Sequence, residues 1–370
     1  MKRLSSEKTE KLIVFLVPGF PEDEKDTSCI PALQNYILHF SQTHPGLRTI
    51  VIAFQYPFIR GWYYRNHISV YSCGGKNKGG IFRLMVWFRA AAVLIRIRAG
   101  AKISVIHSFW LSETTLIGQW LAGILGAAHV ASAMGQDALK SNPYLRRLNF
   151  SKMTVTCGSQ TAARRFFEST GRTTDHIIPI GIDRDMPEFS QNHSQRDIDI
   201  IGVGALIPLK NFRLFIEIIY ELRIEFPNIR CVIIGDGTER DQLAEMITGL
   251  NLDKNIRLTG HLSRAEVISF LTRSRIFLHT SEYEAQGYVF LEALFAGLYL
   301  VKHDTGYPES GHKTVICKNN ENFVEAISSL MRTAQDHSPI LLKTINETVN
   351  DYHEIYFGPS VANRTKGPIR

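Results

Sequence analysis

Apolar runs rich in β-branched residues recur at 11–17, 49–54, 68–71, 103–107, 127–133 and 153–156, alternating with stretches whose apolar positions repeat at helical spacing. Turn residues mark each boundary. Strand, helix and strand in this alternation predict a parallel sheet with helices on both faces. After a polar stretch at 188–196 (EFSQNHSQR) the pattern starts afresh, with apolar runs at 198–203, 230–234, 256–259, 276–280 and 298–301. The expected fold class is therefore α/β, two Rossmann-like, doubly wound parallel-sheet domains facing a central cleft, with ligands at the carboxyl ends of the strands. A last helical pattern covers 340–356, and the polar, basic end that follows is expected to fray.

Length agrees with two domains, since 370 residues exceed an ordinary single one. A hydrophobic content of 44% with 21% charged residues is that of a soluble globular chain. Five scattered cysteines without a CxxC suggest neither a disulfide framework nor a zinc site, so a reducing cytoplasm is the expected home. The short apolar run near the N-terminus leads into a Pro-Gly turn, which does not read as a signal peptide. The uncharged stretch 114–136 contains Gln119, His129, Ser132 and four glycines, and a helix at 112–125 followed by a strand explains it better than a membrane span.

Charge is distributed unevenly. Up to residue 180 there are 22 basic and 10 acidic residues, whereas the whole chain carries +7. No acidic residue occurs between Thr27 and Ser112, while Arg48, Arg60, Arg65, Lys76, Lys78, Arg83, Arg89, Arg96, Arg98 and Lys102 accumulate there. Such a surface is expected to meet something anionic. The stretch 81–98 (IFRLMVWFRAAAVLIRIR) has two readings, a helix lying in an anionic membrane interface or an ordinary amphipathic helix covering the sheet. Nucleic acid is not an expected partner despite a pI near 9.1, because no recognition motif or aromatic-basic repeat accompanies the charge.

The segment 281–301, SEYEAQGYVFLEALFAGLYLV, places Glu284 in a polar loop, frees the backbone at Gly287 and opens an apolar helix at Tyr288. The first N–H groups of that helix would attract a diphosphate. Glu292, inside the helix, is placed to accept hydrogen bonds from ribose hydroxyls, and Glu284 stands where a sugar would hang from the phosphate. The alternative is a pair of glutamates that merely complements the helix dipole.

This segment resembles the Glu-x7-Glu signature of the family-four retaining glycosyltransferases, the glycosyl transferases group 1 type with a GT-B fold. Glu284, Gly287, Glu292, Ala293, Ala296 and Gly297 are similar to the family text, while Ala285 replaces a usual glycine. The resemblance extends back through VIIGDGTERDQL, with Gly235, Asp236 and Gly237, and through LTGHLSRAEV, with Gly260. It implies an acceptor-binding domain over 1–185, a donor domain over 186–338 and a final segment, 339–370, whose helix packs back on the first domain.

Further site residues follow from the same likeness. IGVGALIPLKN sets Gly204 after a strand and Lys210 and Asn211 before the next helix, where an ammonium can neutralise a pyrophosphate. Ala205 stands where the family carries a second phosphate-binding cation, an arginine. Gln286 and Tyr288 join the implied donor contacts. In the first domain, Gly19 follows a strand and is an implied donor contact, with Phe20 on the acceptor side. His107 ends the strand 103–107; a lone histidine there is ordinarily structural, whereas the resemblance implies contact with the donor sugar near the reacting carbon. Asp137 in MGQDA has two readings, an N-cap for Ala138 onward or an acceptor contact at the rim. PIGID, 179–183, resembles the family hinge, with Gly181 supplying a turn.

The implied reaction is transfer of a sugar from a nucleoside diphosphate donor to a glycan or lipid-linked acceptor hydroxyl, with retention, in cell-surface polysaccharide or glycolipid synthesis. His107, Lys210 and Glu284 are the implied catalytic set. Neither a metal nor any cofactor besides the donor is expected. The expected location is cytoplasmic, peripheral on the inner face of the membrane. Two alternatives remain open, a non-catalytic nucleotide-sugar-binding subunit and a nucleotide-sugar epimerase.

Overall fold

The computed structural model describes residues 11–27, 29–186, 189, 196–311 and 313–358. Most of the linker expected at 188–196 and the polar end after residue 358 lie outside the described residues. The elements run β1 (Leu12–Gly19), α1 (Pro31–Thr43), β2 (Arg48–Tyr56), β3 (Gly61–Arg65), β4 (Ile68–Ser72), α2 (Ile81–Gly100), β5 (Ile103–Phe109), α3 (Glu113–Leu125), β6 (Ala128–Ala133), β7 (Thr154–Cys157), α4 (Gln160–Thr170) and β8 (His176–Ile177). They continue with β9 (Ile198–Val203), α5 (Phe212–Glu225), β10 (Cys231–Ile234), α6 (Arg240–Gly249), β11 (Ile256–Leu258), α7 (Arg264–Thr272), β12 (Ser274–His279), α8 (Tyr288–Phe295), β13 (Tyr299–Lys302), β14 (Thr314–Ile316), α9 (Asn320–Arg332) and α10 (Ile345–Phe357). Two compact units result: the first holds the described chain through Cys157, Ala163–Ile178 and α10, the second Gly158–Ala162 and Pro179–Thr344. No described helix is long and apolar enough to cross a membrane.

The first unit is built on one sheet in the order β3-β4-β2-β1-β5-β6-β7-β8. Central β1 is apolar throughout because both its faces are covered. Leu12, Val14 and Leu16 pack with Val86, Ala90 and Leu94 of α2 and with Ile117 and Leu121 of α3. Phe15, one position out of phase, meets Tyr36 and Phe40 of α1 on the other face.

The sheet is parallel except for β3, which pairs antiparallel with β4 through a hairpin whose Asn66 and His67 both take left-handed φ, 45° and 68°. Hydropathy did not mark this strand because its pattern is inverted. Trp62 and Tyr64 point outward at 51% and 77% exposure, while Arg65 is buried and donates from Nε to the Asp23 carbonyl at 2.9 Å.

His107 corrects an expectation. It is neither at a strand end nor open to a ligand, because β5 continues to Phe109 and the imidazole is fully buried. Nδ1 meets the Tyr356 hydroxyl of α10, Nε2 meets Ser132 Oγ at 2.7 Å, and the ring stacks on Phe109 with centroids 4.0 Å apart. Burial pushes its pKa well below the ordinary value, so the ring is neutral and serves as a polar peg in the core. Tyr356 also meets the Tyr36 hydroxyl at 2.8 Å, and Tyr352 meets Ser132 and Thr156 at 3.0 and 3.1 Å. These buried hydroxyls fasten α10 to the first unit. Phe20, expected on the acceptor side, is likewise a core side chain at 1% exposure. Gly19 ends β1 without a left-handed φ, and a Cβ there would find ordinary contact with Tyr56.

The final helix starts at Ile345, later than the expected 340, because the preceding chain is held by the second unit. Ile340 N–H donates to Leu294 O at 2.9 Å, and Ile182 bridges Thr344 in parallel. Gly181 supplies close approach here instead of a turn, since a Cβ would lie 2.3 Å from the Thr344 backbone.

Replacing Tyr356 with Phe strands the His107 ring nitrogen in the core, and the stability loss expected in urea unfolding is about 1–3 kcal/mol.

Candidate active site at the carboxyl edge of the second sheet

Six parallel strands in the order β11-β10-β9-β12-β13-β14 make the second sheet, so the winding reverses between β9 and β12. At such a reversal the loops at the strand carboxyl ends diverge and leave a crevice. The loop after β9 carries Gly204 to Asn211, and the loop after β12 carries Glu284. Two buried hydroxyls join them: Thr280 donates to Lys210 O at 3.1 Å and Ser281 to Leu209 O at 2.9 Å.

Glu284 lies where these loops meet. Its Oε1 accepts from His279 Nε2 at 2.9 Å and pairs with the Lys210 ammonium. A carboxylate only accepts, so His279 carries its proton on Nε2. Burial pushes the Glu284 carboxyl up, but the His279 bond and the Lys210 charge outweigh it and hold the pKa at about 2. Burial keeps the pKa of His279 itself below the ordinary value. Thr305, in the loop after β13, accepts the Glu284 N–H at 2.6 Å and donates back to Glu284 O at 3.3 Å. That loop is in turn tied by Lys302, whose buried ammonium donates to Thr305 O at 2.6 Å and lies 5.7 Å from the Phe290 ring centroid. Burial lowers the Lys302 pKa to about 8.

Helix α8 begins beside this carboxylate. Gly287 caps it in a left-handed conformation, φ 73°, and a Cβ would strike the Phe290 ring at 2.3 Å, so glycine is required twice over. Glu292, in the second turn, faces Arg264 of α7 with 2.8 Å between NH2 and Oε1, and the same guanidinium reaches Tyr288 OH at 3.2 Å. Burial raises the Glu292 pKa while Arg264 opposes it. The two glutamates therefore differ in kind: Glu284 is held ionised at the crevice, whereas Glu292 is 6% exposed and its charge is met from within the unit.

Several expected donor contacts have structural work of their own. Gln286 clamps the hinge segment, accepting from Ile180 N at 2.9 Å and donating to Ile180 O at 2.7 Å. Asn211 caps α5, its side chain accepting from Leu214 N. Gly235, φ 149°, is needed because the Gly204 carbonyl occupies the place of its side chain, and its N–H donates to Gly260 O at 3.0 Å. A Cβ at Gly204 would find ordinary contact with the Phe212 and Lys210 side chains, and Ala205 beside it is exposed. In the first unit Asp137 accepts from the N–H groups of Leu111, Met134 and Gly135, which organises the turn after β6 and serves neither as the expected N-cap nor as an open acceptor contact. Arg264, His279, Lys302 and Thr305 were not singled out from the sequence. Only Lys302, a lysine closing an apolar strand, carried a local signal.

Residues 183–339 match the family described as glycosyl transferases group 1. Among curated relatives, it is 30% identical over 173 residues to the phosphatidylinositol N-acetylglucosaminyltransferase gpi3 subunit of Schizosaccharomyces pombe, covering 46% of this chain and 37% of that protein. It is 29% identical over 189 residues to the alpha-monoglucosyldiacylglycerol synthase of Acholeplasma laidlawii, covering 46% of each. The match thus spans less than half the length of either relative. Among solved structures, HepE of Anabaena with UDP-glucose superposes with a TM-score of 0.65 at 17% identity, over 94% of this chain and 95% of that one. The trehalose-phosphate synthase of Burkholderia vietnamiensis gives 0.69 at 11%, over 95% of each. These likenesses establish the fold as GT-B type.

Because the folded Glu284 pKa lies below the free carboxyl value of 4.5, its stabilisation is complete above that pH and disappears as pH falls through about 2. The stability difference between wild type and Glu284→Gln in urea is therefore expected to be largest near neutrality and to shrink steadily below pH 4.5. Replacing Thr305 with the isosteric Val leaves the Glu284 N–H without its acceptor, for an expected loss of about 1–3 kcal/mol in the same assay.

Proposed function

We propose that this chain is a glycosyltransferase that moves a sugar from a nucleoside diphosphate sugar to an acceptor hydroxyl, in cell-surface polysaccharide or glycolipid synthesis. The observation that carries this reading is the ionised Glu284 beside Lys210 at the start of α8, in the crevice of a Rossmann-ordered sheet. In the free protein Lys210 and Glu284 neutralise each other. A bound diphosphate takes the Lys210 ammonium and the N–H groups at the α8 start, which releases Glu284 to accept a hydroxyl of the transferred sugar. Glu292 takes the ribose hydroxyls, with Arg264 fixing its orientation.

Transfer proceeds with retention by same-face attack. The acceptor oxygen bonds to the anomeric carbon as the bond to the diphosphate breaks, and the acceptor proton passes to the departing diphosphate. Lys210 and the helix N-terminus stabilise the charge that develops there. Glu284 already accepts two donors on one oxygen, which favours a binding role over a nucleophilic one. No divalent metal is needed, because ammonium and helix supply the positive charge. The relatives named for phosphatidylinositol and diacylglycerol products, together with the acid-free basic span of the first unit, favour a lipid-linked acceptor at an anionic membrane surface, on its cytoplasmic side. Ala205, small and exposed, favours a second reading in which the chain binds nucleotide sugar without turnover.

A thermal-shift panel of nucleoside diphosphates and nucleotide sugars is expected to find a donor that stabilises wild type but not Glu292→Ala. With that donor, transfer should survive EDTA and fall by about 10²-fold or more in Lys210→Ala. Inactivity after EDTA with recovery in manganese would overturn the metal-free mechanism, and saturable binding without turnover on any acceptor would favour the second reading.

A further inference from the structure

Helix α2 has two apolar faces, and the sheet uses only one of them. Val86, Ala90 and Leu94 are buried, whereas Leu84, Phe88 and Ile95 remain 58%, 75% and 54% exposed. Beside them, edge strand β3 presents Trp62 at 51% exposure. Between α2 and the β3–β4 hairpin runs a groove of about 900 Å³ lined by Trp62, Tyr71, Leu84, Met85 and Phe88, and also by Arg60, Arg89 and Arg96. Two of these guanidiniums are oriented from below: Arg60 Nε donates to Tyr71 OH at 3.1 Å, and Arg89 NH1 donates to the Cys73 carbonyl at 2.8 Å. Among the described residues no carboxylate lies within ion-pair distance of Arg60, Arg89 or Arg96, and the sequence supplies no acidic residue from 28 to 112.

The occupant must cover hydrocarbon and neutralise arginines on the same face. Nucleic acid would satisfy the charges and leave Phe88 in water. A second copy of the chain across a two-fold axis would set these arginines against their own equivalents. A bilayer of anionic phospholipid meets both demands, with acyl chains against the aromatic and aliphatic groups and phosphates level with the guanidiniums. We propose that the α2–β3 face docks on such a bilayer and that the groove takes one acyl chain. This gives a structural seat to the membrane placement in the function proposed above, but it stands on this face alone and needs neither donor nor turnover.

Flotation without nucleotide, using vesicles of phosphatidylcholine with and without phosphatidylglycerol, tests the proposal. Wild type is expected to float with the anionic vesicles only, and to be released by salt. The doubly substituted Leu84→Asp, Phe88→Asp protein should lose binding on the order of tenfold or more. Arg60→Gln combined with Arg96→Gln should lose the preference for anionic lipid on a similar scale. As a check that does not depend on surface variants folding, brominated acyl chains should quench wild-type tryptophan fluorescence, and less so in Trp62→Phe. Equal recovery of wild type with both vesicles, flotation of the Asp variant like wild type, or a dimer that the Asp substitutions dissolve without any vesicle binding would each overturn it. None of these results depends on sugar transfer, so the transferase reading stands or falls separately.

Discussion

A single carboxylate organises the second unit's crevice. Glu284 is largely withdrawn from water, a setting that by itself would favour the neutral acid, and it stays charged because His279, Lys210 and the Thr305-anchored backbone surround it. Each partner comes from a different strand end, β12, β9 and β13, so the charge also fixes the mutual placement of three loops. Removing the charge would loosen more than one contact. In the proposed chemistry the same arrangement is a stored exchange: the ammonium that neutralises Glu284 in the free protein is the one that a diphosphate would claim.

Backbone packing imposes the second constraint. At the ends of β9 and β10 the chains come so close that the Gly204 carbonyl fills the side-chain space of Gly235, whose N–H donates to Gly260 O. Gly287 lets α8 turn away from Glu284 over the face of Phe290. Buried polar groups hold the first unit in a comparable way. His107, Ser132, Thr156 and three tyrosines, all buried, exchange hydrogen bonds, so the last helix is bound to that unit by specific partners as well as by apolar area.

Much of the architecture was legible in the strand runs, because parallel strands covered on both faces must be continuously apolar. Their boundaries shifted by a few residues, and the strands that escaped notice were those at sheet edges: β3 with its arginine inward, and the short β8 and β14. Side-chain roles were harder to see. Glu284, Lys210 and Gly287 could be named in advance because a helix start, a turn glycine and a charged loop residue leave local marks. His107 and Gln286 left no local mark of their bonds to Tyr356 and Ile180, partners 249 and 106 positions away.

From the sequence alone came the α/β class, two successive sheets, the uneven charge and the segment that holds both glutamates, since each depends on periodicity or on neighbours within a few residues. Tertiary structure decided which polar groups face the crevice and which are spent inside. It set Glu284 beside Lys210 and His279 and Glu292 beside Arg264, turned a candidate catalytic histidine into a core peg and introduced Lys302 and Thr305 as supports. The reason is physical: the charge state and availability of a side chain depend on its desolvation and on partners brought close by the fold, and neither quantity is encoded in local pattern.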